Sequence, residues 1–186
     1  MKKLLLLVLC GLFCVVDVMP QKTIGFESLV IEKSGAVNIY WEKNKKNSKS
    51  KTLDGNYRIL FKTYHMTGKF TKGFPIDTLR AYTNTPDGME TAEDGILLLE
   101  YVYDKAGHQH GMQRLFYKDN EQIKSEHPYV HGILEGTARE WHPNGNLKSC
   151  VEMNNGKING ISFGWDEEGN PLSEWHYTDG ERDGVC

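Results

Sequence analysis

Gly136-Thr137-Ala138-Arg139-Glu140-Trp141-His142-Pro143-Asn144-Gly145-Asn146-Leu147, with Asn155-Gly156-Lys157 and Gly160 downstream, is the stretch whose reading decides the fold. Thr137, Arg139 and Trp141 fall on one face of an extended chain, and Leu147, Ser149, Val151 and Met153 share a face on a return segment. That alternation is the signature of strands. Asn144-Gly145 and Asn155-Gly156 supply positive φ at little steric cost, which tight hairpin turns require. The stretch therefore reads as one β-hairpin and its closing turn.

The same rhythm recurs on both sides. Gly111, Gly136 and Gly160 open three units spaced 25 and 24 residues apart. An aromatic stands five residues after each: Phe116, Trp141 and Trp165. Each unit closes with a glycine, four residues before the next begins, giving the pairs Gly107/Gly111, Gly132/Gly136, Gly156/Gly160 and Gly180/Gly184. A period near 24 holds two strands of ordinary length and two turns. Upstream the match weakens: Tyr64-His65-Met66-Thr67-Gly68 aligns with Trp141 to Gly145, and residues 73–94 read as an irregular connection. Pro128 and Pro171 each remove a ladder donor, so bulges or edges are expected there. A lone hairpin is barely stable in water, so the units must stack. The expected fold is all-β, an elongated antiparallel meander of stacked hairpins, with a repeat domain over 55–186.

The first residues read as an address. Lys2 and Lys3 precede a thirteen-residue apolar run, Leu4 to Val16, which Asp17 and Pro20 end. A charged start, a short apolar core and a break describe a secretory signal peptide over 1–20, expected as a helix. The run spans ~20 Å as a helix, short of the ~30 Å of a bilayer core. Export to a periplasm, an outer membrane surface or the medium is expected, and Cys10 and Cys14 raise lipid anchoring as an option. Residues 21–54 form an N-terminal segment. Leu29-Val30-Ile31 and Val37 to Trp41 suit two strands around Ser34-Gly35, and five Lys within 43–52 read as a solvated loop or an anion contact.

Composition narrows the classes. The 186 residues carry 22 Lys+Arg, 25 Asp+Glu and a net charge of −3, which argues against nucleic-acid binding. Nineteen Gly against five Ala favour turns and strands over long helices. After cleavage only Cys150 and Cys186 remain. Three strand spacings of ~4.8 Å place them ~14 Å apart, beyond the ~7 Å a disulfide spans. Free thiols, or a bridge to another molecule, are expected.

Gly136-x4-Trp141-His142-Pro143-Asn144-Gly145-Asn146-Leu147, closing at Asn155-Gly156-Lys157-x2-Gly160, resembles the variant MORN repeat of bacterial proteins often grouped as YwqK-family antitoxins. The likeness covers 107–184 well and 55–106 loosely. It implies a sheet of hairpins acting as an interaction surface, with toxin neutralisation implied by the group's name. With an export signal, that role shifts to an immunity-like protein or scaffold at the envelope.

Tyr64, Phe116, Trp141 and Trp165 are the candidate partner-binding residues. An in-register aromatic ladder would stabilise the sheet by about 0.2–1 kcal/mol per cross-strand pair, and exposed aromatics also anchor interfaces. A protein partner is expected. A membrane surface or cell-wall glycan is the alternative, through the aromatics and the Lys-rich loop. His108-Gln109-His110 places two imidazoles in one turn, yet no acid or thiol cluster is indicated nearby, so no metal site is assigned. His65 and His142 share a repeat position in this alignment. No Gly-x-Ser-x-Gly, His-Glu-x-x-His or phosphate loop occurs. No catalytic residue, cofactor or small-molecule substrate is expected.

Overall fold

The computed structural model describes residues 21–34, 37–43, 51–84 and 95–183. The expected signal helix at 1–20, residues 44–50 of the Lys-rich stretch and Cys186 lie outside the described residues. The described chain is nearly all strand, with one 3-10 turn at Phe26–Ser28. In order the strands are β1 Lys22–Gly25, β2 Leu29–Ser34, β3 Val37–Glu42, β4 Lys51–Thr52, β5 Gly55–Leu60, β6 Tyr64–Thr71, β7 Phe74–Thr83 and β8 Leu97–Tyr103. There follow β9 Gly111–Phe116, β10 Ile123–Val130, β11 Ile133–Leu134, β12 Gly136–Trp141, β13 Leu147–Asn154, β14 Lys157–Trp165, β15 Pro171–Thr178 and β16 Glu181–Asp183.

Thirteen strands form one sheet in the order β1-β5-β6-β7-β8-β9-β10-β12-β13-β14-β15-β16, with β11 beside β10. The units at Gly111, Gly136 and Gly160 sit as successive neighbours. From β5 onward the sheet is an antiparallel meander, and β1 joins its edge in parallel with β5. The two strands expected around Ser34-Gly35 are β2 and β3, which pair antiparallel in a second, three-stranded sheet with β4. Both expected proline irregularities are present. A bulge sits beside Pro171 on the β14 side, and the β10–β12 ladder does not reach Pro128.

Turn chemistry explains the period. At one end of the sheet, Lys72-Gly73, His131-Gly132, Asn155-Gly156 and Asp179-Gly180 are two-residue turns with both residues at positive φ. That turn matches the twist of the flanking strands. At the other end Asn144-Gly145 departs from expectation, because Gly145 has φ +89 while Asn144 is not among the positive-φ residues. The Gly145 N–H donates to His142 O at 2.9 Å, so this connection is a four-residue turn ending on a left-handed glycine. Asp166 to Gly169 repeats it, with the glycine N–H donating at 3.1 Å.

Neighbouring hairpins are laced at both ends. The N–H groups of Gly73, Gly132, Gly156 and Gly180 donate to the carbonyls of Leu53, Gln109, Leu134 and Ile158. Three of these acceptors stand two residues before Gly111, Gly136 and Gly160, and the fourth stands two before Gly55. The repeat therefore extends upstream to β5. At the opposite end the Tyr117 hydroxyl donates to Trp141 O at 2.7 Å, and His142 Nε2 donates to Trp165 O at 2.9 Å. Asn120 and Asn144 bridge in the same way to Pro143 O and Glu167 O. Asn144 Nδ2 serves the next loop, while its Oδ1 accepts the Asn146 N–H at 2.9 Å in its own.

The core lies on one face of β5 to β8. Tyr57, Ile59, Phe70 and Leu79 meet Leu29, Tyr40 and Leu53 from the small sheet and its flank. Each such apolar side chain contributes about 1.5–3 kcal/mol on burial. The Lys72-Gly73 turn is clamped there, since Tyr40 N–H donates to Gly73 O at 2.8 Å. Gly68, which the upstream alignment reads as a turn residue, sits inside β6 opposite Tyr57. A Cβ there would fall 2.4 Å from Leu79 Cδ1, so packing, not turning, demands glycine.

Candidate interaction surface

Register brings a set of charged residues into one row across the meander. Arg80 pairs with Glu100, Glu100 with Arg114, Arg114 with Glu126, and Glu126 with Arg139. The signs alternate along five strands. Arg80 Nε donates to Glu100 Oε2 at 2.8 Å, Arg114 Nη1 to Glu100 Oε1 at 3.2 Å, and Arg114 Nε to Glu126 Oε1 at 2.8 Å. The hydrogen bond to Glu126 is the chief cause holding the Arg114 guanidinium above its ordinary pKa. Arg58 extends the row at the other end, through Thr67 to Arg80. Its Nε and Nη2 are buried and donate to no partner among the described residues. Beyond Arg139 the row turns neutral, to Cys150 and Phe163, before Glu174.

The row has a sequence signature that the aromatic reading passed over. Arg58, Arg114 and Arg139 each stand three residues after Gly55, Gly111 and Gly136, and Phe163 takes that place after Gly160. Arg80 stands three after Asp77, which has φ +61 and substitutes for the glycine.

The aromatics occupy the next position on the same face. Phe116, Trp141 and Trp165 end β9, β12 and β14, two residues beyond Arg114, Arg139 and Phe163. A return strand separates each from the next, so they do not form ring-on-ring pairs. Their direct partners are Ile123, Leu147 and Pro171. The ring contact that Trp165 makes is with Phe163, at 5.7 Å. Tyr64 is displaced from this set. It opens β6, a return strand, pairs with Thr83 and stacks on Phe61 at 4.3 Å. Tyr82, two residues after Arg80, fills the level that the alignment gave to Tyr64. His65 and His142 separate for the same reason: His65 is fully buried in β6 against Tyr82, whereas His142 sits in an outer loop.

Burial divides the sheet. Of the residues in β12 to β16, only Ala138 is buried. Trp175 and Leu172 are exposed, and Trp141, Phe163 and Trp165 are half-buried. The Arg182 guanidinium lies over the Trp175 ring. Cys150 is half-buried on β13 and forms no disulfide among the described residues. A cavity of about 220 Å³ opens between the small sheet and β6 to β8, lined by Tyr40, Met66, Leu79, Tyr101 and Tyr103. Burial first, and then the neighbouring phenols, push the Tyr103 hydroxyl above its ordinary pKa.

The turn end near β9 differs from expectation in one respect. An acid does stand beside His108 and His110. Asp104 Oδ2 lies 2.8 Å from His131 Nδ1 and 3.4 Å from His108 Nδ1. His110 Nδ1 accepts the His131 backbone N–H at 3.3 Å, and the two rings lie 4.7 Å apart. Burial alone would raise the Asp104 carboxyl. The His131 ring and the backbone N–H groups of His108 and Ala106 outweigh it and hold the carboxyl at about 2.

Residues 134–155 match the family model described as MORN repeat variant. Over that segment the chain is similar to a MORN repeat. The matched segment runs from the end of β11 through the β12–β13 hairpin to Asn155, the unit whose glycines, Trp141 and Asn144 are described above. Repeats of this kind are modules that bind proteins or membranes. No curated protein and no solved structure matches the chain. No helix among the described residues is long and apolar enough to cross a membrane.

Proposed function

We propose that this chain is an exported, non-enzymatic repeat protein whose β12–β16 surface binds a protein partner, in an immunity-like or envelope-scaffold role. The observation that carries the reading is the uncovered end of the sheet. A strand layer ordinarily buries at least one face, yet β12 to β16 bury only Ala138 while holding Trp141, Phe163, Trp165 and Trp175. Apolar side chains left on both faces of a sheet mark an interaction site. Half-exposed aromatics are the side chains that anchor protein interfaces. The segment similar to a MORN repeat, 134–155, covers β12 and β13 of this surface. The charged start and short apolar run at 1–20 support export.

The test is capture from envelope extract by the tagged full chain and by a Phe163→Ala/Trp165→Ala chain of unchanged circular dichroism. A protein held by the first and lost from the second supports the reading. Equal capture by both, or co-sedimentation with liposomes or peptidoglycan in place of any protein, contradicts it.

A further inference from the structure

We propose that Asp104, His110 and His131, with His108 alongside, bind one divalent transition-metal ion of the zinc, nickel or copper type. The carboxylate of Asp104 and one ring nitrogen from each of His110 and His131 lie within 4.8 Å of one another. In a tetrahedral site with bonds of ~2.0–2.1 Å, donor atoms stand roughly 3.3 Å apart. The cluster is thus assembled to within side-chain motion of that geometry. The Asp104–His131 pair must open by a few tenths of an ångström. Ligation through His110 Nδ1 would replace the hydrogen bond from the His131 N–H, and ligation through Nε2 would keep it. Imidazole with a single carboxylate suits zinc, nickel and copper; calcium and magnesium favour all-oxygen sites.

The carboxylate is held for the purpose by its other oxygen. Asp104 Oδ1 accepts the Ala106 and His108 N–H groups at 2.9 and 3.0 Å, which leaves Oδ2 aimed at the imidazoles. Such supporting hydrogen bonds orient ligands in protein metal sites. Two features set this end apart from its repeat equivalents. Asp104 to His108 form a longer loop where the neighbouring hairpins have two-residue turns. The first turn residue is His131 here, while the equivalent turns carry Lys72, Asn155 and Asp179. The position of His110 is held by Glu135 in the next unit, where its carboxylate caps the Asn155 N–H. The histidines thus replace residues that serve the turn elsewhere with groups that also bind metal. The His131 side chain is 68% exposed, so the site is open to solvent and leaves room for water or a further donor.

The experiment titrates Zn²⁺ into the purified full chain by calorimetry and follows the histidine ring signals by NMR. Mg²⁺ serves as the comparison ion, and Cys150→Ser removes the thiol on β13. One Zn²⁺ per chain is expected, with ring shifts confined to His108, His110 and His131 and no response to Mg²⁺. Two variants keep the fold. Asp104→Asn retains the Oδ1 acceptor, and His131→Asn reproduces the Asn155 turn. Each is expected to weaken Zn²⁺ binding at least tenfold, while His176→Ala leaves it unchanged. No binding at millimolar Zn²⁺, or a loss under tenfold in either variant, overturns the proposal.

Discussion

Replacing Gly73 and Gly156 by alanine tests how the small sheet is docked. Both glycines take the second place of a two-residue turn, with φ of +87 and +77. Each substitution carries the left-handed penalty of about 1–2 kcal/mol, partly offset by about 0.4–1 kcal/mol from a less flexible unfolded chain. The surroundings differ. A Cβ at Gly156 meets nothing within 4 Å. A Cβ at Gly73 would fall 2.7 Å from Ile39 Cγ2 and 2.9 Å from Tyr40 O. That carbonyl accepts the Leu53 N–H at 3.0 Å, and the Tyr40 N–H donates to Gly73 O, so it cannot withdraw without loosening both bonds. Overpacking of this kind costs about 1–3 kcal/mol. Gly156→Ala should therefore destabilise by about 1 kcal/mol and Gly73→Ala by about 2–4 kcal/mol. For a chain of this size each kcal/mol lowers Tm by about 2–4 °C. Urea titration and thermal melting of both variants measure the difference. Equal losses, or a larger loss for Gly156→Ala, would refute the packing of β3 on that turn.

Three further outcomes are expected. Tyr117→Phe removes the hydroxyl that donates to Trp141 O and should cost about 0.5–1.5 kcal/mol in urea, with no change in the far-ultraviolet spectrum; an unchanged midpoint would count against the loop lacing. A double-mutant cycle on Arg114 and Glu126 should give a coupling of about 0.5–1 kcal/mol that shrinks in 1 M salt, since both side chains are partly exposed; a coupling indistinguishable from zero at low salt would remove the ladder from the account of stability. The Asp166 carboxyl should titrate below 3.8 by NMR, because the Asn170 side chain, and then backbone N–H groups of its loop, hold it ionised. Its folded pKa is lower than its unfolded one, so its contribution is full above about pH 4 and fades as pH falls through the folded value. A midpoint at or above 3.8 would contradict that loop geometry.

Between Gly111 and Gly180 the fold was legible because glycine, aromatic and turn residues recur with hardly any insertion. Upstream the same geometry persists under different residues. Asp77 holds the positive φ that glycine holds elsewhere, and Gly68 serves close packing, so a reading keyed on glycine placed Tyr64 one strand away from its true level. Asn144 misled in a smaller way: its Oδ1 accepts the Asn146 N–H without a positive φ, and its Nδ2 reaches the neighbouring loop, a contact that no local pattern encodes. The arginine row could have been found at three residues past each opening glycine. Its glutamate partners on the return strands follow only from register. The Asp104–His131 contact joins residues 27 apart and appears only when two turns are laid side by side.

The most direct measurement is the set of cross-strand NOEs over β13, β14 and β15 in the labelled full chain. Cys150 should face Phe163, and Phe163 should face Glu174, with amide or Hα cross-peaks at those pairs and at Ser149 with Gly164. Cross-peaks displaced by one residue would send Phe163 and Trp165 to the opposite face and would contradict both the ribbon and the surface built on it.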